Sequence, residues 1–357
     1  MQLLLVGAGH AHLYVVKHAA ELIEAGYRVE LLAPRYFHYS GLASATAAGD
    51  VPADAGRIDV GTLAQSAGVD FVDGTLASLD LKRRVAVTAA GVEIGYDVLS
   101  LNIGSTVASP SASVDSSVVR VKPLSDLARL DERLASAGPS ARVTVLGGGA
   151  SGLELAAHLA VRRGVAQVHL LEAGPEPGTD LPQGARRRLR RLLERRGVIV
   201  RTDCDVRDLG AASAIFAGGS ELPHDVAVLA TGLAASPLVA ALGLGDEAGV
   251  PVRATLQHVE HEEIYAAGDC AHVLPRPLPL IGVHGVRQGP VLHRSLLART
   301  SGDPLPTYDP QPCALAILDL GGGRGLATYG RLWWEGRAAL WLKRLIDRRW
   351  LRRYQAS

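Results

Sequence analysis

The amino-acid sequence predicts an α/β fold of two parallel-sheet modules, the second inserted in the first, with a small C-terminal α+β tail. Three observations carry that reading: a glycine turn directly after an apolar strand at residue 7, a second such turn about 140 residues later, and an echo in how the two halves end. Val98 to Gly104 and Val226 to Gly232 are each an apolar strand running into a glycine turn. The chain of 357 residues, 48% hydrophobic, is long enough for two or three cored domains, and its 40 glycines suit many tight turns.

The second glycine turn is the better formed. Arg142 to Leu146 reads as a buried strand, and Gly147-Gly148-Gly149-Ala150-Ser151-Gly152 leads into the run Leu153 to Val161, in which Glu154 is the one carboxylate. In a G-x-G-x-x-G turn, Gly147 makes the bend, Gly149 lets a pyrophosphate approach the backbone, and Gly152 lets the helix pack on the strand. The phosphates are then expected on the free amides of the helix start, at Ala150 and Ser151. The next strand, Gln167 to Leu171, ends at Glu172, where a carboxylate accepts hydrogen bonds from an adenosine ribose and repels a 2′-phosphate. That favours NADH over NADPH. Thr231 and Gly232 close the same module.

The first turn is irregular. Met1 to Val6 is a strand, and Gly7-Ala8-Gly9-His10-Ala11-His12 keeps two glycines but sets His12 where the third belongs. An imidazole there prevents the closest helix-to-strand approach. The strand Tyr27 to Leu32 should end in an acid, yet Ala33, Pro34 and Arg35 follow, and Glu30 lies inside the strand. The backbone amides of His10, Ala11 and His12 are the expected phosphate ligands. Their imidazoles are open between phosphate contact and capping of the helix. Ala266-Ala267-Gly268-Asp269, a flavin-type signature in the other half of the chain, raises this turn to a second nucleotide site.

Between these landmarks the sequence reads as a long loop through Tyr36 to Asp54, carrying Ser40 and Gly41, and a short helix near Val60 to Ala67. Strands follow at Val69 to Val72, Arg84 to Thr88 and Val98 to Asn102, with a turn at Gly104. Residues 105–118 suit a linker. The expected domains are residues 1–107 and 235–302 for the first module, 108–234 for the second and 303–357 for the tail. The tail should hold strands around Ala314 to Leu318 and Gly325 to Trp334 and a helix from about Ala338 to Tyr354. Val226 to Gly245 is uncharged and long enough to span a membrane, but Thr231-Gly232 and Pro237 break it into strand, turn and short helix.

A formal net charge of +1 excludes a global attraction to nucleic acid, and no nucleic-acid partner is expected. The basic run Arg186, Arg187, Arg188, Arg190, Arg191, Arg195 and Arg196 reads as a solvated helix face paired with Glu194. Cys204, Cys270 and Cys313 are scattered and odd in number, with no C-x-x-C pair, which points to a reducing compartment. With a strand beginning at once at the N-terminus, the cytoplasm is the expected location. No metal site is expected. In the tail, Trp341, Leu342, Leu345, Ile346, Trp350 and Tyr354 repeat at helical spacing beside Lys343, Arg344, Arg348, Arg349, Arg352 and Arg353. Such a helix, residues 338–354, either lies peripherally on the inner face of a membrane or docks on the first module.

Taken together, these segments resemble the two-dinucleotide-binding-domain flavoproteins of the pyridine nucleotide-disulfide oxidoreductase superfamily over nearly the whole length. The lack of redox cysteines, Ile264 to Asp269, and Lys343 to Trp350 resemble the type II NADH dehydrogenase branch. Gly7 to His12, Tyr39-Ser40-Gly41 and Val286 to Pro290 resemble a relative associated with selenide, water dikinase, without the kinase portion. The resemblance implies two Rossmann-like modules, FAD in the first with Asp269 on its ribityl chain, and NADH in the second with Glu154 close to the nicotinamide. It also implies an acceptor site near His284 and Gln288. Gln288 matches the second of two glutamines that flank the flavin in the quinone-reducing branch, and His284 replaces the first.

The function so implied is an FAD-dependent NADH dehydrogenase that passes electrons to a quinone-like or other small-molecule acceptor without redox cysteines. A flavin reductase linked to selenium metabolism, and a low-turnover flavin-binding interaction module, are the alternatives. His284 suits proton supply to a quinone, since an ordinary imidazole titrates near neutrality. It equally suits a helix-start residue bonded to a carbonyl.

Overall fold

The structure, a computed structural model, describes residues 1–52, 54–108, 110–127, 129–274 and 276–355. Its first sheet runs in the order Ile264–Ala266, Val98–Leu101, Gln2–Val6, Arg28–Ala33, Asp70–Asp73, with every pairing parallel. The central strands Gln2–Val6 and Val98–Leu101 are apolar and buried along their length, as strands covered on both faces must be. The helices His10–Lys17 and Gly282–Ser301 pack on one another in the same core.

The second sheet repeats that order with Val119–Arg120, Val226–Leu229, Ala141–Leu146, Val165–Leu171 and Ile199–Arg201, again all parallel. Each sheet sends a three-strand antiparallel excursion out between its third and fourth long strands: Leu76–Asp80, Val85–Thr88 and Glu93–Gly95 in the first, Val206–Leu209, Ser213–Phe216 and Glu221–Pro223 in the second. Two modules built alike are therefore joined. Ser105–Val107 and Leu233–Ala235 pair antiparallel, so the chain leaves the first module and returns to it side by side.

Several elements differ from the sequence expectation. The stretch read as a loop from Tyr36 holds a strand, Tyr36–His38, paired with Arg57–Asp59, then a 3₁₀ turn at Ser40–Leu42 and a helix at Ala43–Ala47. These are too short to show a period, and the helix forms by burying Ser44, Ala45 and Ala47 against the second module. The run Gly325 to Trp334 is a hairpin of Gly325–Tyr329 and Leu332–Gly336, bent at Gly330, where φ is +57°; Leu315–Asp319 completes the three-stranded sheet.

The basic helix, Gln183–Arg195, is more than a solvated face. Arg188 reaches Glu335 at 2.5 Å, and Arg196 donates to the carbonyls of Ala157, Leu320 and Gly321, so the basic run fastens the tail to the second module. The C-terminal helix, Arg337–Leu351, docks on the first module through part of the apolar repeat read from sequence, since Trp350 and, just beyond the helix, Tyr354 join that core. Ala339, Leu340, Lys343, Asp347, Trp350 and Leu351 are buried, whereas Trp341, Leu345 and Ile346 face outward beside Leu332, Trp333 and Trp334. Lys343 and Asp347 tolerate burial because they pair at 2.9 Å. Among the described residues no helix is long and apolar enough to cross a membrane.

Candidate active site

In the second module the strand Ala141–Leu146 ends in the glycine turn, and the helix Ala150–Leu159 begins at once. A side chain at Gly152 would collide with the carbonyl of Gly147, so only glycine lets this helix sit down on its strand. Among the described residues no acceptor reaches the amides of Gly149, Ala150, Ser151 or Gly152. Gly147, Gly148 and Gly149 line a cavity of about 380 Å³ shared with Glu172, Thr231 and Gly232, and the helix start follows directly. Glu172 accepts from the amides of Gly148, at 2.7 Å, and Gly174, at 2.8 Å, which holds its carboxylate at the mouth of the turn. Thr231 ties the cavity wall to the linker by donating to the Ala108 carbonyl at 2.8 Å. Free amides, room at Gly149 and a fixed carboxylate fit a dinucleotide.

The first turn is built differently. Asn102, at the end of Val98–Leu101, accepts from the amides of Ala11 and His12 through Oδ1, at 3.0 and 3.1 Å, and donates to the Ala267 carbonyl through Nδ2 at 2.6 Å. Its carbonyl also accepts from the amide of Gly9. The amide of His10 stays free, while those of Ala11 and His12 are taken. The His12 ring turns into the core: Nδ1 donates to the Gly7 carbonyl at 2.6 Å, which leaves Nε2 to accept from Ser100 Oγ at 2.8 Å. Burial holds its pKa down at about 4, so it is a neutral structural imidazole and no phosphate ligand.

The His10 ring is half-buried, and desolvation lowers its pKa to about 4 despite Asp269 nearby. It sits among Phe37, Tyr39 and Trp350, with ring centroids 5.2, 6.1 and 5.0 Å away. Trp350 in turn stacks on Tyr39 at 4.5 Å, and Tyr39 donates to Asp347 at 2.8 Å. Lys343 donates to the Gly41 carbonyl. Through these contacts the C-terminal helix braces Ser40 and Gly41 beside the start of Gly282–Ser301. Ala33 is buried at the end of its strand; after Pro34, the Arg35 side chain pairs with Asp59 at 3.1 Å, and Glu30 is engaged by Gln2.

Asp269 lies where the two modules meet. Lys122, from the second module, reaches its Oδ2 at 2.7 Å, and Ser105 donates to the same oxygen at 2.8 Å. Burial opposes ionisation of this carboxyl, but Lys122 and Ser105 outweigh it and hold the pKa below the usual range. Oδ1 has no partner among the described residues. Gly268, with φ +72°, donates its amide to Gln288 Oε1 at 2.5 Å, and Gly104 adds an open left-handed turn opposite. This cleft, with a free acceptor on Asp269 and the His10 amide, fits a flavin nucleotide.

His284 is buried, and its Nδ1 pairs with the Tyr308 hydroxyl at 2.8 Å; among the described residues no backbone carbonyl is its partner. Burial and Arg287 lower its pKa, which makes it a neutral ring at pH 7. Glu154 makes a second crossing between modules, accepting from Ser44 Oγ at 3.1 Å and from the Asp319 amide at 2.7 Å. Its pKa is raised, chiefly by burial. Cys270 is buried with its thiol pushed up to about 11, and it is unreactive. Lys122, Asn102 and Ser105 escaped the sequence reading, because each works by reaching a partner far along the chain.

This arrangement of paired sheets, two glycine turns and a shared interface defines a flavin- and pyridine-nucleotide-binding oxidoreductase. The family model for "Pyridine nucleotide-disulphide oxidoreductase" matches residues 1–289, and the chain belongs to that family of FAD-dependent NAD(P)H oxidoreductases. It is 30% identical over 297 residues to the probable ferredoxin reductase CtmF of Castellaniella defragrans, covering 78% of this chain and 69% of that protein. It is 26% identical over 238 residues to demethylphylloquinone reductase NdbB of Synechocystis, covering 63% and 59%. The sulfide:quinone oxidoreductase of Aquifex aeolicus shares the fold with a TM-score of 0.83 at 16% identity, over 99% of this chain and 91% of that one.

Proposed function

We propose that the chain is an NADH dehydrogenase that holds FAD in the first module and NADH in the second and delivers the electrons to a quinone-like acceptor. The observation that carries this reading is the pair of polar crossings at the module interface, Lys122 to Asp269 and Ser44 to Glu154, because they bring the flavin-type turn and the second module's first helix to one seam, where rings held by the two modules would meet. Flavin supplies hydride acceptance when bound; the chain's own contribution is orientation. Asp269 Oδ1 and the His10 amide would hold FAD, and the amides of Gly149, Ala150 and Ser151 with Glu172 would hold NADH. The negative charge at Glu172 supports NADH over NADPH.

For the acceptor, His284 and Gln288 stand one helical turn apart at the start of Gly282–Ser301. Gln288 braces the Gly268 amide, so its part is to position the flavin turn, and His284 with Tyr308 forms a neutral hydrogen-bonding pair suited to a carbonyl oxygen. The outward face of residues 338–354, with Trp341 66% exposed and arginines alongside, supports peripheral contact with an anionic membrane where a lipid-soluble quinone resides.

The test is an anaerobic visible spectrum of the purified protein before and after NADH. A flavin spectrum that bleaches with NADH, recovers with a soluble naphthoquinone and recovers more slowly with a ferredoxin is the expected outcome. A protein without flavin, or one whose flavin ignores NADH, overturns the proposal.

A further inference from the structure

At the meeting point of the three parts of the molecule lies a cluster that neither nucleotide cleft uses. His158, on the second module's helix Ala150–Leu159, is buried. Its Nδ1 pairs at 2.7 Å with Oδ2 of Asp50, which follows the short helix Ala43–Ala47 of the first module. Its Nε2, with no hydrogen-bond partner, faces Asp319 Oδ1 in the tail at 3.4 Å. Glu154 lies one helical turn before His158, and its Oε1 accepts from the amide of the same Asp319 at 2.7 Å. Asp50 is 44% exposed, whereas the His158 ring is 1% exposed, so the cluster runs from solvent through a buried ring to the half-buried Glu154.

Asp50, Asp319 and Lys343 also line a cavity of about 570 Å³, which gives solvent access to both carboxylates that flank His158, and Asp319 in turn touches Glu154 through its amide.

We propose that Asp50, His158 and Asp319 form a proton route from solvent to Glu154 at the module interface. This rests on the reading of the chain as an NADH dehydrogenase with a quinone-like acceptor. NADH gives up a hydride, which is two electrons and one proton, whereas a quinone takes two electrons and two protons to become a hydroquinone. Each turnover therefore draws one further proton from solvent. A relay needs groups that exchange protons near neutrality and are held in line. Burial opposes charge on His158, but Asp319, Glu154 and Asp50 outweigh it, and the pKa rises above that of an ordinary histidine. Burial raises the Glu154 pKa toward it. Lys343 from the C-terminal helix and Arg196 from the basic helix add positive charge beside Asp319, and Arg162, a turn beyond His158, pairs with Asp131.

His158→Gln keeps a hydrogen-bonding side chain without a titrating ring, and Asp50→Asn alters only the exposed end. Both should reduce a naphthoquinone at least tenfold more slowly than wild type at pH 7.5, and should reduce ferricyanide, which takes electrons without protons, within twofold of it. Nitrogen NMR of the resting, cofactor-loaded protein gives a second reading: the His158 ring should titrate above an ordinary histidine, and Glu154→Gln should move that titration down. Equal slowing with both acceptors, no slowing in either variant, or a His158 titration indifferent to Glu154→Gln overturns the route. A wild-type protein that NADH does not bleach, or that no quinone reoxidises, instead overturns the underlying dehydrogenase reading.

Discussion

The two glycine turns begin from nearly the same backbone and end as different devices. In both, a left-handed glycine follows the first strand, φ +83° at Gly7 and +114° at Gly147, and lies against the end of the neighbouring strand, at Asn102 in one and Ala230 in the other. Ala230 has nothing to offer the helix start, so four amides remain open for phosphate. Asn102 spends its carboxamide on the amides of Ala11 and His12, and His12, at the position of Gly152, bonds through its ring to the Gly7 carbonyl, whereas Gly152 has no room for any side chain. One turn thus keeps its backbone amides open, and the other is a latched core element with its free groups around it, on His10, Gly104 and Asp269.

The largest effect should come from removing what makes the second turn tight. Gly152→Val drives a branched side chain into the Gly147 carbonyl and must push the helix off its strand. Loss of two charge-assisted phosphate hydrogen bonds, at about 1.5–3 kcal/mol each, predicts NADH binding weaker by roughly 100-fold or more. Flavin content should remain, and isothermal titration with NADH checks both. In the first turn the comparable blow is Asn102→Ala, which unpairs two buried amides and the Ala267 carbonyl. A destabilisation of about 2–4 kcal/mol in urea, with flavin lost on purification, is expected. If the variant keeps its flavin and its stability, the latch is not what holds this turn.

The reciprocal change is a sharper test of the comparison. Ala230→Asn places a carboxamide where Asn102 has one, aimed at amides that phosphate otherwise occupies. NADH affinity should fall about tenfold, the scale of one contested hydrogen bond, with flavin binding untouched. A thermal midpoint close to wild type distinguishes a latched turn from an overpacked one.

Acid should separate the modules too. His10 and His12 are held at about 4 in the fold against an unfolded value near 6.5, so between those values the unfolded chain binds protons that the folded one refuses. Stability is full above pH 6.5 and falls as pH drops toward 4, by at most about 3 kcal/mol for the buried His12 ring and by less for the half-buried His10. Flavin release followed by fluorescence should rise over that window. His12→Gln should flatten part of the rise, since glutamine can still donate to the Gly7 carbonyl without titrating.

Much of this contrast was legible in the sequence, and its limits were physical. The strands, the insertion of one module in the other and both turns follow from local patterns: apolar runs, glycine spacing and the echo of Val98 to Gly104 in Val226 to Gly232. His12 in place of a glycine marks the first turn as unusual, yet its partner Ser100 is 88 residues away and Asn102 is 90, and no local pattern encodes such contacts. Lys122 meets Asp269 over 147 residues. The C-terminal helix misled for another reason. Its apolar repeat left membrane contact and docking open, and the structure divides it: Trp350 and Tyr354 dock with the paired Lys343 and Asp347, while Trp341, Leu345 and Ile346 stay outside.

The smallest effect concerns the ends of the second strands, Ala33 in one module and Glu172 in the other. Glu172 has two tasks that a single deletion would confuse. Its oxygens accept from the amides of Gly148 and Gly174, and under the proposed function its charge would repel a ribose 2′-phosphate. Glu172→Ala leaves both amides without their partner, so a loss of NADH affinity would report a loosened turn as much as a lost ribose contact. Glu172→Gln separates the tasks, because the carboxamide oxygen still accepts from one amide while the charge is gone. NADH should then bind only about two- to fivefold more weakly, and NADPH, relieved of a screened repulsion of about 1 kcal/mol, should bind about fivefold more tightly. Competition between the two nucleotides at fixed ionic strength reads the ratio directly. If Glu172→Gln leaves the NADH to NADPH preference where it was, selectivity lies elsewhere in the cavity, and the carboxylate is a brace for the glycine turn, much as Asn102 is for the other.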